Sequence, residues 1–256
     1  MRQNHLRPYA AVILLAAAVT ACGGDQAPVA SGRPADAIAV DISKAGTFAG
    51  RVLLDGPVPA NAQIKMSADP FCIRANEGGA AFESFVSENG GLGNVFVYIK
   101  DGLGNYWVDV PPEPVKLDQN ACKYTPHVLG VRAGQALEIT NSDDTMHNVH
   151  ALAKVNGDFN FGQPIRGQKN HKTFASPEVM VTFKCDVHSW MNAYVGVVGH
   201  PYFAVTGGEG GFELKDVPAG TYTIEAWHEK LGTQTQTVTL GEKESKAISF
   251  TFTAVP

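Results

Sequence analysis

Apolar residues in this chain recur at every second position, in short runs, and almost nowhere at the three-and-four spacing that a helix needs. The pattern is cleanest from Glu178 to Cys185. Val179, Val181, Phe183 and Cys185 fall on one face there, and Met180, Thr182 and Lys184 on the other. Leu92 to Lys100 puts Val95, Val97 and Ile99 on a single face. Leu137 and Ile139 alternate with Glu138 and Thr140, and Tyr222, Ile224 and Ala226 alternate with Thr223, Glu225 and Trp227. Turn sequences such as Gly56-Pro57, Ala133-Gly134, Asn141-Ser142-Asp143-Asp144 and Val217-Pro218-Ala219-Gly220 separate the runs, drawing on 27 Gly and 15 Pro. Such a chain is expected to be all-β, and 256 residues leave room for an anchor and one or two small domains.

One segment carries chemistry. Phe183-Lys184-Cys185-Asp186-Val187-His188-Ser189-Trp190-Met191 sets a thiol, an imidazole and a thioether in Cys-x2-His-x2-Met spacing at the end of an apolar strand. Upstream, His147-Asn148 follows a polar turn. Two imidazoles, one thiolate and one weak thioether suit copper, because soft sulfur holds Cu(I) while imidazole accepts Cu(II). Zinc prefers four strong donors, and Met is a poor one. Metal ligands are therefore expected at His147, Cys185, His188 and Met191, with Asn148 supporting the ligand loop. His150, three residues after His147, falls on the opposite strand face. A second site from His127 and His150 is a weaker alternative, and His127, His171, His200 and His228 are expected to be structural or solvated. Trp227 and Tyr222 are expected to be core or sheet-face residues.

These residues support a resemblance. Val131 to Gln135, the polar turn, His147-Asn148 and the ligand loop closing with Gly196-Val197-Val198 resemble the cupredoxins of plastocyanin and amicyanin type. The short ligand loop is most like amicyanin, although Asp186-Val187 stands where Ser/Thr-Pro is common. The resemblance implies a Greek-key sandwich over 115–200 and one type 1 copper, with His147, Cys185 and His188 as strong ligands and Met191 as the axial one. It also implies that His188 lies near the surface as the electron port, with redox donor and acceptor proteins docking there. Gly211-Phe212-Glu213-Leu214 through Ile224 is similar to the carboxypeptidase regulatory-like, transthyretin-like sandwich, and Gly50 to Pro59 is similar to that family's opening strand. A discontinuous sandwich from 45–114 and 201–256, with the cupredoxin domain inserted in it or packed beside it, is the expected architecture.

The N-terminus reads as a processing signal. Arg2 and Arg7 precede the apolar run Ala10 to Ala21, which is too short to span a bilayer, and Val19-Thr20-Ala21-Cys22-Gly23 resembles the lipobox of bacterial lipoproteins. Residues 1–21 are then a signal peptide, Cys22 the lipidated residue, and 22–44 a Pro/Ala/Gly/Asp-rich tether to the membrane. An ordinary secretory peptide is the alternative. Loss of both arginines takes the net charge from −5 to about −7, which argues against nucleic acid. With Cys22 given to lipid and Cys185 to metal, Cys72 and Cys122 remain. In an exported protein they are expected to close a disulfide, the alternative being two free thiols. The expected location is the bacterial cell envelope, facing the periplasm or exterior. Zinc-protease helix, Cys-x-x-Cys, Gly-x-Ser-x-Gly and dinucleotide motifs are all missing, and four protein ligands would leave copper no open position for a substrate, so a non-enzymatic electron carrier is expected. The rivals are a carbohydrate- or protein-binding lipoprotein with copper structural or absent, and a copper storage or delivery protein.

Overall fold

The computed structural model describes residues 33–66 and 69–254, together with Met1. The leader, Cys22 and the first part of the tether lie outside the described residues. In chain order the elements are β1 (Ile38–Ala39), β2 (Gly46–Asp55), α1 (Pro70–Ala75), β3 (Phe96–Asp101), β4 (Tyr106–Trp107), β5 (Val115–Asn120) and β6 (Lys123–Thr125). There follow β7 (Val128–Arg132), β8 (Ala136–Asn141), β9 (His147–Leu152), β10 (Phe159–Gln163), β11 (Lys169–Thr173), β12 (Glu178–Lys184) and β13 (Asn192–Val198). The chain ends with β14 (Phe203–Val205), β15 (Gly211–Val217), β16 (Gly220–His228), β17 (Gly232–Leu240) and β18 (Ser245–Thr253). The described residues are all-β apart from one six-residue helix. No helix among the described residues is long and apolar enough to cross a membrane.

The middle of the chain forms one sandwich. A five-stranded sheet, β10-β9-β12-β13-β7, faces a four-stranded sheet, β11-β8-β5-β6. Alternation along each strand sends one set of side chains inward. Leu117, Leu137 and Ile139 from one sheet meet Val149, Ala151, Val181, Phe183, Val195 and Val197 from the other. Burying each larger aliphatic or aromatic side chain contributes about 1.5–3 kcal/mol, which fixes the register of the strands that bear the site.

The first and last strands form the other sandwich. Sheet β14-β3-β16-β17 packs on sheet β15-β2-β18, in which β2 and β18 run parallel over nine registered pairs from Ser245↔Thr47 to Thr253↔Asp55. Its core gathers Phe48, Val52, Val97, Ile99, Leu214, Tyr222, Ile224 and Phe250. Tyr222 is a core residue whose hydroxyl donates to Pro218 O at 2.6 Å and so closes the Val217–Gly220 turn.

Strand β3 is buried on both faces. Val97 and Ile99 enter the second core, while Phe96 and Tyr98 point the other way, against Val128 of β7 and Val198 of β13. The close approach depends on two glycines of the first sandwich. A Cβ on Gly196 would lie 2.5 Å from the Phe96 ring, and one on Gly130 would lie 2.3 Å from Phe203. Trp227 is half-buried in this seam.

Two expectations change. The alternation of β12 breaks at its start, where the register with β13 shifts between Glu178 and Val181. Val179 therefore packs with Met180 against the seam instead of following Val181 into the core. Nor does all of 45–114 belong with the outer sandwich. Met66 and Cys72 are buried in the core of the inner one, with Ile64, Phe71 and Ala80 packed against it.

Candidate metal centre

The donors arrive on three elements at one end of the inner sandwich. Strand β12 delivers Cys185 just beyond its last residue. The chain then turns back, with Met191 N–H donating to His188 O at 2.9 Å and Cys185 N–H to Met191 O at 3.2 Å. This closes a tight loop holding Cys185, His188 and Met191, all buried. His147 comes from the first position of β9, after a turn braced from within. Asn141 donates its side-chain amide to Thr145 O (2.9 Å) and Gln163 O (2.8 Å) and accepts from Asp143 N–H (2.9 Å). The turn thereby aims the Asp143 carboxylate inward, beneath His147.

Three ligand atoms converge. His147 Nδ1 and His188 Nδ1 are 3.0 Å apart, His188 Nδ1 is 3.9 Å from Cys185 Sγ, and the three groups lie within 4.8 Å of one another. Both imidazoles are oriented from behind. His147 Nε2 is 2.8 Å from Asp143 Oδ2, and His188 Nε2 is 3.1 Å from Asp69 Oδ2. A carboxylate beside each Nε2 favours a hydrogen on that nitrogen, which leaves Nδ1 of both rings facing the same space. At 3.0 Å the two Nδ1 atoms share at most one proton, which an ion bound to both nitrogens would displace. With metal–nitrogen and metal–sulfur bonds of about 2.0 and 2.3 Å, edges of this length correspond to angles of roughly 100° and 130°, so the donor set fits a single ion.

The electrostatics agree with the geometry. Burial works to raise the Cys185 thiol, but His147, His188 and the backbone N–H groups of Asn148 (3.3 Å) and His188 (3.4 Å) outweigh it and bring the pKa down to about 6. Burial likewise works to lower His147, and Asp143 and Cys185 reverse this and raise it to about 8. Asp69 is lowered to about 2 against its partial burial by Thr145, His188 and the N–H groups of Cys72 and Phe71.

Cys72 and Cys122 are joined by a disulfide, with Cα atoms 5.6 Å apart. The bond lies against the site, Cys72 Sγ being 3.7 Å from His188 Nε2. Cys122 is held there by a two-residue hairpin between β5 and β6. Both of its positions have positive φ (Ala121 50°, Cys122 55°), an unfavourable conformation for residues with a Cβ. Asp143 stabilises it, accepting from Ala121 N–H and Cys122 N–H at 2.7 Å each. One carboxylate thus holds both the hairpin and His147.

The expected surface position of His188 is overturned. The ring is only 2% exposed. The segment between β2 and β3 folds over its outer edge, and Asp69 and Cys72 lie where solvent would otherwise reach Nε2. Trp190 packs against the ring at a tilt of 40°, centroids 5.1 Å apart, and donates its Nε1–H to Cys122 O at 3.0 Å. Asn148 touches the sulfur through its backbone. Its side-chain oxygen accepts from Asp186 N–H at 3.1 Å, which pins the ligand loop to β9.

The remaining histidines stand apart. His150 pairs with Asp186 at 2.8 Å and His127 with Glu229 at 2.6 Å, and neither belongs to a group of three converging donors among the described residues. His171 is exposed beside Glu138, His200 donates to Ile99 O, and His228 is buried in the outer sandwich. Sequence reasoning missed Asp69 and Asp143. Asp143 was read only as a turn residue. Asp69 had a local signature, Asp before Pro at the first helical position, with its carboxylate accepting from Phe71 N–H (2.7 Å) and Cys72 N–H (3.2 Å).

No protein-family model and no curated protein matches the chain. Among solved structures it is similar to a Cu-containing nitrite reductase from Thermus scotoductus SA-01, with 22% identity, 36% of this chain and 24% of that one covered, and a TM-score of 0.30. It thus spans about a quarter of the reductase's length. An amicyanin mutant in its Cu(I) form is 25% identical over 35% of this chain and 86% of its own, with a TM-score of 0.30. A purple cupredoxin from Nitrosopumilus maritimus is 20% identical over 32% of this chain and 98% of its own, with a TM-score of 0.28. These likenesses take in about a third of the chain.

Proposed function

We propose that this protein is an electron carrier of the bacterial cell envelope, built on one type 1 copper held by His147, Cys185, His188 and Met191 in a cupredoxin-like sandwich. The observation that carries this reading is the meeting of two imidazole Nδ1 atoms and one thiol within 4.8 Å of one another in a buried space, each imidazole held from behind by a carboxylate. Copper would supply a one-electron couple between Cu(I) and Cu(II) at this donor set. The protein's part is to keep the donors still. Cys185 and His147 stand at the ends of paired strands, the loop between Cys185 and Met191 is closed by its own backbone, and Asp69 and Asp143 fix the rings, so little rearrangement accompanies a change of charge. Two N–H groups on the Cys185 sulfur moderate its donation and tune the potential.

With Met191 as the fourth donor no coordination position is left for a substrate, which favours electron transfer over catalysis. The partners are then redox donor and acceptor proteins, and the lipid on Cys22 would hold the protein at the membrane, facing the periplasm or exterior. The test is optical. Copper-loaded protein should be intensely coloured by thiolate-to-copper charge transfer, and Cys185→Ser should abolish the colour. A colourless Cu(II) form would remove the reading.

A further inference from the structure

Asp69 lies outside both sheets of the inner sandwich, 76 residues before Thr145 and 119 before His188, yet it reaches both. Its carboxylate is fixed before it meets the imidazole. Oδ1 accepts the N–H groups of Phe71 and Cys72 at the start of α1, and Oδ2 accepts Thr145 Oγ1–H at 2.7 Å. The disulfide from Cys72 to Cys122 ties the same turn to the β5–β6 hairpin. The donation from His188 Nε2 to Oδ2 is therefore made to a rigid acceptor, and it covers an edge that would otherwise face solvent.

We propose that Asp69 is a positioning residue that holds His188 in the tautomer presenting Nδ1 to the metal and, with Asp143 behind His147, biases the centre toward Cu(II). The reasoning is charge balance. The site counts one thiolate and two carboxylates, each carboxylate one ring away from the metal position. A carboxylate on Nε2 makes its imidazole a stronger donor and favours the higher metal charge. Removing one negative charge shifts the balance toward Cu(I). The inference rests on the copper reading above.

The experiment uses the full chain loaded with copper. Asp69→Asn keeps one oxygen for the N–H groups of α1, puts an amide NH2 where Oδ2 faced His188, and so removes both the charge and the acceptor on Nε2. Its colour and its one-copper stoichiometry should match the wild type. In a fixed redox buffer its Cu(I)-to-Cu(II) ratio should rise at least tenfold, about 59 mV for a one-electron couple. A ratio within twofold of wild type, with the colour intact, overturns the proposal while leaving the copper site standing. A wild-type chain that takes up no copper removes the copper reading, and the proposal falls with it. Should Asp69→Asn fail to fold, nitrogen-15 resonance of His188 in the diamagnetic Cu(I) wild type decides. A proton on Nε2 that exchanges slowly with solvent supports the proposal, and a ring lacking that proton or exchanging it rapidly overturns it.

Discussion

Replacing the disulfide by Cys72→Ala/Cys122→Ala should loosen the protein globally and open the metal site locally. The two cysteines are 50 residues apart, and in the chain-entropy model a closed loop of that length is worth about 4 kcal/mol through the unfolded state. For a folded unit of this size each kcal/mol moves Tm by about 2–4 °C, so the pair should melt about 8–16 °C below the wild type. The local effect follows from the length of α1. Six residues cannot sustain a helix alone, so without the bond to Cys122 the turn bearing Asp69 should open far below the global transition. Calorimetry on the full chain, with the wild type in dithiothreitol as a second reference, gives the first quantity. Amide exchange over residues 69–76 gives the second. A Tm within about 2 °C of wild type, with the segment's protection retained, would refute both the entropy argument and the role of the bond in holding the turn.

His147→Ala should lose copper affinity at least tenfold, whereas Met191→Ala should keep the metal and change only the potential; copper titration and voltammetry check the pair, and equal behaviour would sink the ligand assignment. Gly196→Ala should cost about 1–3 kcal/mol, because its methyl group would sit 2.5 Å from the Phe96 ring at the seam. A denaturant midpoint matching the wild type would contradict that close packing. Glu229, 1% exposed, meets His127 at 2.6 Å and Lys230 at 3.2 Å, and these outweigh burial to lower its pKa from 4.5 to about 2. Its charge therefore stabilises the fold above about pH 4.5, and the contribution fades as pH falls through about 2. Glu229→Gln should lower Tm most at pH 6 and least near pH 2, and a deficit independent of pH would exclude the ionic account.

The strands were legible because one face of each is buried and the period of two survives in the sequence, as at Leu137 and Ile139. The loop was legible because Cys185, His188 and Met191 lie within seven residues at the end of an alternating strand, and one tight turn buries all three. The carboxylates were not. An Asp in a turn has an obvious local use, and nothing near Asp69 in sequence says that it will meet a ring 119 residues later. The covered edge of His188 was missed for the same reason: 56–91 has no period to read, and its role comes from a disulfide and a few long-range hydrogen bonds. The shift at Val179 and Met180 belongs to this class too, since both residues are apolar and only the seam decides which way they face.

The parallel pairing of β2 with β18 has a consequence for biogenesis. A chain that emerges from its N-terminus holds residues 46–55 without their parallel partner until residues 245–253 appear, while the whole of 115–198 has already been made. The strands of the metal-bearing body are thus all available early, whereas the outer sandwich closes only once β18 has been made. Loss of β18 would accordingly leave β2 bare along one edge, and that edge would be ready to recruit a strand from another molecule.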